Sequence, residues 1–269
     1  MKLKKPRFWD QKKPNLYAFF FYPLAIFIQL LNSIKNKVPK NNFKIKTICL
    51  GNIYIGGTGK TSLCITLKNI LNKKNIRSCF IKKFYKDQYD EQKLLKQNGK
   101  LFLEKKRVDA LQKAEEENYE IAILDDGLQD KSINSDINVV CFNNINWIGN
   151  GMTIPAGPLR ETINNLKNYN HIFLNGNLEN IDNIQKKILS INPRSNIYIG
   201  KYELTNINEF NKQDNYLVFS GIGNHATFIS MIKKYGLNTE VLGTQIMFHL
   251  PINFRGGYYY ISQKMQLLL

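Results

Sequence analysis

The sequence predicts an α/β fold, a mostly parallel sheet flanked by helices, and three observations carry that expectation. Lys44-Ile45-Lys46-Thr47-Ile48-Cys49-Leu50 is apolar and β-branched enough to be a strand. After a glycine-rich turn, Leu63, Cys64, Leu67, Ile70 and Leu71 recur at helical spacing, the apolar stripe of an amphipathic helix. Tyr119-Glu120-Ile121-Ala122-Ile123-Leu124 then reads as a second apolar strand, closed by Asp125-Asp126.

In chain order, the first feature is Leu16 to Leu31, LYAFFFYPLAIFIQLL, with Gln29 its one plainly polar member. As a helix it spans about 24 Å at ~1.5 Å per residue, short of a ~30 Å hydrocarbon core. Pro23 interrupts it, and lysines flank it, among them Lys12 and Lys13 before and Lys35 and Lys40 after. The residues allow a core helix or a segment that dips into one leaflet while lysines hold anionic headgroups. The second is favoured, because apolar residues surround the whole helix.

Next comes Gly56-Gly57-Thr58-Gly59-Lys60-Thr61, between the first strand and the helix. Strand, glycine-rich turn and helix form the setting of a phosphate-binding loop. Glycines let successive backbone N–H groups face one anion, and the helix N-terminus adds partial positive charge. Lys60 then reaches the β- and γ-phosphates, and the Thr61 hydroxyl ligates Mg²⁺. The nucleotide-binding segment is expected to run from Tyr54 and Ile55 through Thr61. The strict pattern G-x-x-x-x-G-K-[ST] has glycine where this chain has Tyr54.

Lys82 to Glu91 is expected to be a loop leading into a helix. Asp90 and Glu91 there suit a first helical turn, or Asp90 takes a proton from an acceptor hydroxyl. Asp125 and Asp126 suit a strand end that delivers carboxylates to a metal beside the loop, or an ordinary Asp-Asp-Gly turn. Given the loop, the metal reading leads. Asp136 to Phe142 is a further strand. The Gly/Pro segment from Gly149 to Pro158 presents Arg160, a residue able to grip phosphate with two N–H groups, followed by Glu161. His171-Ile172-Phe173-Leu174 and Tyr216-Leu217-Val218-Phe219 are short strands. A Gly221-Ile222-Gly223-Asn224 turn and a helical face at Phe228, Ile229 and Ile232 follow the second of these. The Asn-rich region around 175–214 is the expected boundary.

The chain has 269 residues, 43% hydrophobic, with a formal charge of +17. Such a balance favours anionic partners. Much of it reflects a Lys/Asn/Ile-rich composition, and no aromatic-interleaved basic stretch points to nucleic acid. Four cysteines without metal-ligand spacing read as small, reduced, buried hydrophobes.

Taken together and in order, Gly51-Asn52-Ile53 with the loop, Leu124-Asp125-Asp126-Gly127-Leu128-Gln129, Pro155-Ala156-Gly157-Pro158-Leu159-Arg160-Glu161 and Gly221-Ile222-Gly223-Asn224 resemble the tetraacyldisaccharide 4′-kinase family. The resemblance runs from about Phe8 to Gly243, and the family's loop also lacks a glycine at position 54. It implies a kinase of the phosphate-loop class at the cytoplasmic face of the bacterial inner membrane. There the enzyme moves the γ-phosphoryl group of ATP, with Mg²⁺, to the 4′-hydroxyl of a tetraacyl glucosamine disaccharide 1-phosphate, giving lipid IV_A. It implies that the N-terminal helix, about 14–36, meets an anionic membrane surface, and that Lys60, Thr61, Asp125 and Asp126 serve nucleotide and metal. It makes Asp90 the catalytic aspartate of a Gly-Asp-Glu motif and puts Arg160 and Glu161 in the cleft. No nucleic acid or obligatory protein partner is implied. The expected division is a kinase domain over 1–205 and a smaller α/β unit over 206–269.

Three places depart from the family pattern. Asp130 stands where histidine is usual, and Lys83-Phe84-Tyr85 replaces an Arg-Gly-Tyr. No Phe-Pro-Asp-His motif follows Gly243, and a truncated or frame-shifted tail is the expected reason. His249 is the doubtful candidate for the missing histidine. Other readings are a different phosphate-loop kinase or NTPase, or a nucleotide-binding homologue without catalysis. A GTPase is disfavoured because no Asn-Lys-x-Asp guanine reader follows.

Overall fold

The computed structural model describes residues 5–34, 40–175, 180–204, 207–218, 229, 232–241, 258–261 and 265–268. Its frame is an eight-stranded sheet in the order β11-β7-β6-β5-β1-β4-β2-β3. These strands are β1 (Lys46–Gly51), β2 (Ser78–Lys83), β3 (Leu101–Glu104), β4 (Ile121–Asp125), β5 (Ile137–Asn143), β6 (His171–Asn175), β7 (Asn196–Leu204) and β11 (Met265–Leu268). Seven run parallel, and β11 pairs with β7 antiparallel. The expected α/β architecture is what forms.

Parallel strands need crossovers and are buried on both faces, so their sequences read as continuous apolar runs. In β1, Cys49 faces the layer of Phe102, Ala110, Leu111 and Leu124, whereas its neighbour Leu50 joins Leu63, Phe80, Leu95 and Ile123 on the other. The helices that cover these layers are α2 (Lys60–Lys73), α3 (Tyr89–Asn98) and α4 (Arg107–Glu116). Beyond β5, a third layer gathers Phe142, Leu166, Ile172 and Leu174 under α5 (Ile181–Ile191). All four cysteines are free and buried, as small hydrophobes would be.

The strand order fixes where a ligand can bind. The chain builds β2, β3 and β4 on one side of β1, then crosses to β5, β6 and β7 on the other. At such a reversal the connections leave in opposite directions, and a crevice opens beyond the carboxyl end of the central strand. The glycine loop leaves β1 at that point.

One expectation needs correcting. Residues Lys82 and Lys83 close strand β2 instead of beginning a loop, because Cys79, Phe80 and Ile81 are fully buried between β4 and β3. Within the Asn-rich region around 175–214 lie α5 and β7, and the large sheet continues to Leu204. After it comes a small parallel sheet, β10-β8-β9, made of β8 (Asn215–Val218), β9 (Asn238–Val241) and β10 (Tyr258–Ile261). Tyr216, Val218, Ile232 and Leu237 form its core.

At the other end of the chain, α1 (Leu16–Ile34) begins at Asn15, whose side-chain Oδ1 accepts a hydrogen bond from Ala18 N at 3.1 Å. Ala18 and Ala25 are buried, but Leu16 is 86% and Phe20 79% exposed, and Phe27 and Leu30 are also open. That is not the burial of a core helix. Among the described residues no helix is long and apolar enough to cross a membrane.

Candidate active site

The loop between β1 and α2 is shaped by Asn52, which is fully buried at the strand end. Its Nδ2 donates to the carbonyls of Tyr54 and Gly56, and its Oδ1 accepts from Lys60 Nζ at 3.0 Å. One side chain thereby curls the loop and holds the lysine back over it. Gly59 closes the loop at φ +80°, a left-handed conformation that favours glycine. The first turn of α2 follows, with Lys60 and Thr61 and no acidic residue, so its N-terminal N–H groups keep their positive character. The Thr58 hydroxyl is buried beside it without a hydrogen-bond partner among the described residues.

A second loop is zipped to the first. Ile55 N donates to Pro158 O at 2.9 Å, Arg160 N donates to Ile53 O at 2.6 Å, and Tyr54 bridges Leu159 in antiparallel fashion. These backbone pairs carry Arg160 to the mouth of the phosphate loop.

At the end of β4, Asp126 adopts φ +56°. Asp is among the few residues besides glycine that accept the left-handed region, and the kink turns its carboxylate toward the loop. Arg160 grips it with both terminal nitrogens, at 2.8 and 3.3 Å, and Lys60 Nζ lies 3.4 Å away. Burial alone would raise the Asp126 pKa, but the Lys60 and Arg160 charges outweigh it and hold it down at about 2. Behind it, Arg107 donates to the Asp126 carbonyl at 2.6 Å and pairs with Asp130 at 3.1 Å. Asp130 therefore has a use of its own here: it anchors the arginine that clamps the Asp125–Asp126 turn.

Asp125 is fully buried and meets a different cation. Its Oδ2 accepts from Lys82 Nζ at 2.6 Å, and Lys82 also reaches Glu91 at 2.8 Å. Burial would lower the lysine's pKa, but Asp125 and Glu91 more than compensate and raise it, so Lys82 stays charged. Glu91 and Asp90 share the first turn of α3, so this bridge fixes Asp90 relative to the end of β4. Glu161 is held by Tyr169 at 3.1 Å and Asn165 at 2.8 Å, within reach of Gln129 at 3.4 Å.

Lys60, Asp126, Arg160 and Glu161 thus gather around one loop, with Gln129 bridging Arg160 and Asn52. Asp125 sits behind them with Lys82, and Asp90 stays exposed on α3. His249 and the Gly221–Asn224 turn lie outside the described residues. Sequence reading missed Lys82 and Arg107 as parts of the site. A lysine at a strand end and an arginine opening a helix look like ordinary solvated residues until their burial is known.

The chain is similar to known proteins along most of its length. Residues 17–243 match the family model described as tetraacyldisaccharide-1-P 4′-kinase. A tetraacyldisaccharide 4′-kinase from Pelagibacter ubique (strain HTCC1062) is 60% identical over 234 residues, 87% of this chain and 74% of its own. A protein of the same name from Rickettsia canadensis (strain McKiel) is 31% identical, covering 88% of this chain and 76% of its own. Among solved structures, the "apo" form of LpxK from Aquifex aeolicus in complex with ATP matches with a TM-score of 0.60. It is 18% identical and covers 94% of this chain and 93% of that one.

The site yields two predictions. Replacing Lys82 by Met strands a fully buried carboxylate, and urea unfolding should show a loss of about 3–5 kcal/mol. Adding Asp125→Asn should restore most of it. Asp126, with a folded pKa of about 2 against ~3.9 unfolded, adds stability above the higher value that disappears as pH falls through the lower. Asp126→Asn should therefore unfold more easily at pH 7, and its deficit should close between about pH 4 and pH 2 in acid-unfolding curves.

Proposed function

The chain belongs to the tetraacyldisaccharide-1-P 4′-kinase family, and on that premise we propose that it phosphorylates the 4′-hydroxyl of a tetraacyl glucosamine disaccharide 1-phosphate with ATP. The observation that carries this reading is the convergence of Lys60 and Arg160 on Asp126 at the mouth of the glycine loop. Two cations face one carboxylate there, so both stand at the loop mouth ready to turn to a polyphosphate.

In this reading the loop N–H groups from Gly56 to Lys60 and the α2 N-terminus hold the β- and γ-phosphates. Lys60 moves its ammonium from Asn52 and Asp126 onto the phosphate oxygens. Arg160 lies beside it to take up charge on the transferring group. Asp90, at the exposed start of α3, accepts the proton of the 4′-hydroxyl as its oxygen bonds to the γ-phosphorus and ADP departs. Glu161, held by Tyr169 and Asn165, lines the acceptor side. The Thr61 hydroxyl and the Asp126 carboxylate are hard oxygen donors beside the loop, suited to Mg²⁺, with Asp125 behind them. When bound, that ion supplies charge neutralisation at the phosphates.

The exposed surface of α1 supports placement at a membrane. Its large apolar side chains are exposed while Lys12 and Lys13 stand open just before it. Such a surface suits a helix lying in the headgroup region of an anionic membrane, on the cytoplasmic face where ATP is available. In the same reading residues 1–205 act as the kinase domain and 206–269 as a smaller unit, one strand of which, β11, closes the edge of the large sheet.

Purified chain with Mg-ATP and the disaccharide 1-phosphate should give 4′-phosphorylated product, detectable by mass spectrometry. Lys60→Ala should cut turnover by about a hundred- to thousandfold without unfolding, since one well-placed donor in such a site is worth ~3–4 kcal/mol. ATP binding without product would leave a nucleotide-binding protein and not a kinase. In a vesicle-sedimentation assay the chain should prefer anionic over neutral vesicles, and Phe20→Ser with Phe27→Ser should weaken that partition at least about tenfold.

A further inference from the structure

Tyr54 is where the loop departs from the usual glycine pattern, and the function above gives its side chain no task. It is 1% exposed. Its phenol donates to Asp10 Oδ1 at 2.6 Å, and Lys5 both reaches the phenol oxygen and lies 4.5 Å from the ring centre. Asp10 ends a short 3-10 turn, Arg7–Asp10, that precedes α1.

That turn is seated independently of Tyr54. Trp9 Nε1 donates to Pro155 O at 3.0 Å, and Asn150 N donates to Trp9 O at 2.9 Å. Gly149 permits this approach: a Cβ there would lie 2.2 Å from the Trp9 carbonyl oxygen. Phe8 of the same turn stacks on Phe21 of α1, with ring centres 6.4 Å apart. The N-terminal turn is therefore fixed to the Pro155–Arg160 segment and to α1, and Tyr54 ties the phosphate loop to it.

We propose that Tyr54 is a positioning residue, which docks the N-terminal turn on the phosphate loop through Asp10 and so holds the loop in its ATP-binding shape. A glycine-rich loop left to itself loses much backbone freedom when it closes on phosphate, and that loss weakens binding. An anchored tyrosine removes part of the freedom beforehand, which is preorganisation. The inference rests on the ATP-binding reading and adds a residue that touches neither nucleotide nor acceptor.

The test is titration of the full chain with a non-hydrolysable ATP analogue, with melting temperature as the control for folding. Tyr54→Phe keeps the ring and deletes the donor; it should weaken binding about five- to tenfold with little change in melting temperature. Asp10→Ala should do the same, the double variant should be no worse than either alone, and Asp10→Asn, whose amide oxygen still accepts, should bind like wild type. In turnover assays the loss should sit in KM for ATP and not in kcat. Equal affinity in wild type and Tyr54→Phe, or a loss that tracks melting temperature, overturns the proposal. If Tyr54→Phe fails to fold, the contrast between Asp10→Ala and Asp10→Asn decides alone. A folded wild type that binds no ATP analogue at all overturns the kinase reading instead, and this inference with it.

Discussion

The carboxylate of Asp126 is the point on which the site is organised. It lies in a left-handed turn at the end of β4, its carbonyl is clamped by Arg107, and its oxygens collect Lys60 and Arg160. At such separations each charge pair is worth roughly 1–4 kcal/mol, depending on how much water screens it. That is enough to order two long side chains in a partly open crevice. It is also small enough for a polyphosphate, with several charges, to take both cations over. Removing the carboxylate would leave two cations facing each other, so one anion keeps the site ready before the substrate arrives.

Two adjacent carboxylates at a strand end would repel each other if they shared one environment. The fold separates them. Successive residues along a strand point in opposite directions, and the kink at Asp126 widens that divergence. Asp125 turns inward to Lys82, at 2.6 Å and out of water, while Asp126 turns to the loop. The inner pair has a second consequence. Because Lys82 also holds Glu91, the buried charge fastens the start of α3, and with it Asp90, to the strand that bears Asp125. A buried lysine would be costly alone, but between two carboxylates it ties together two elements that the sheet hydrogen bonds do not join.

The N-terminal segment is joined to the same centre by polar and aromatic contacts. Gln29 of α1 donates to the Arg160 carbonyl at 3.4 Å, and the 3-10 turn before α1 lies against the Pro155 loop. The apolar helix is consequently not a separate appendage. It stands beside the loop that carries Arg160, and its exposed phenylalanines face away from the core.

Much of this could be read from the chain alone, because the signals are local. The β1 strand, the glycine loop and the α2 stripe lie within about thirty consecutive residues, and backbone propensity with side-chain periodicity encodes them directly. The apolar strand ending in Asp125-Asp126, the loop that offers Arg160 and the unusual Tyr54 were legible for the same reason. What the sequence could not disclose was which charges meet. Asp126 and Arg160 are 34 positions apart, and Lys82 and Asp125 are 43 apart. No periodicity links such residues: strand order brings Lys82 to Asp125, and the pairing of the second loop on the first brings Arg160 to Asp126. Sequence thus determined the elements and the chemistry each one carries. Tertiary structure decided that Asp125 is buried against Lys82 while Asp126 faces the loop, because burial and ion pairing are properties of contacts made only after the chain has closed.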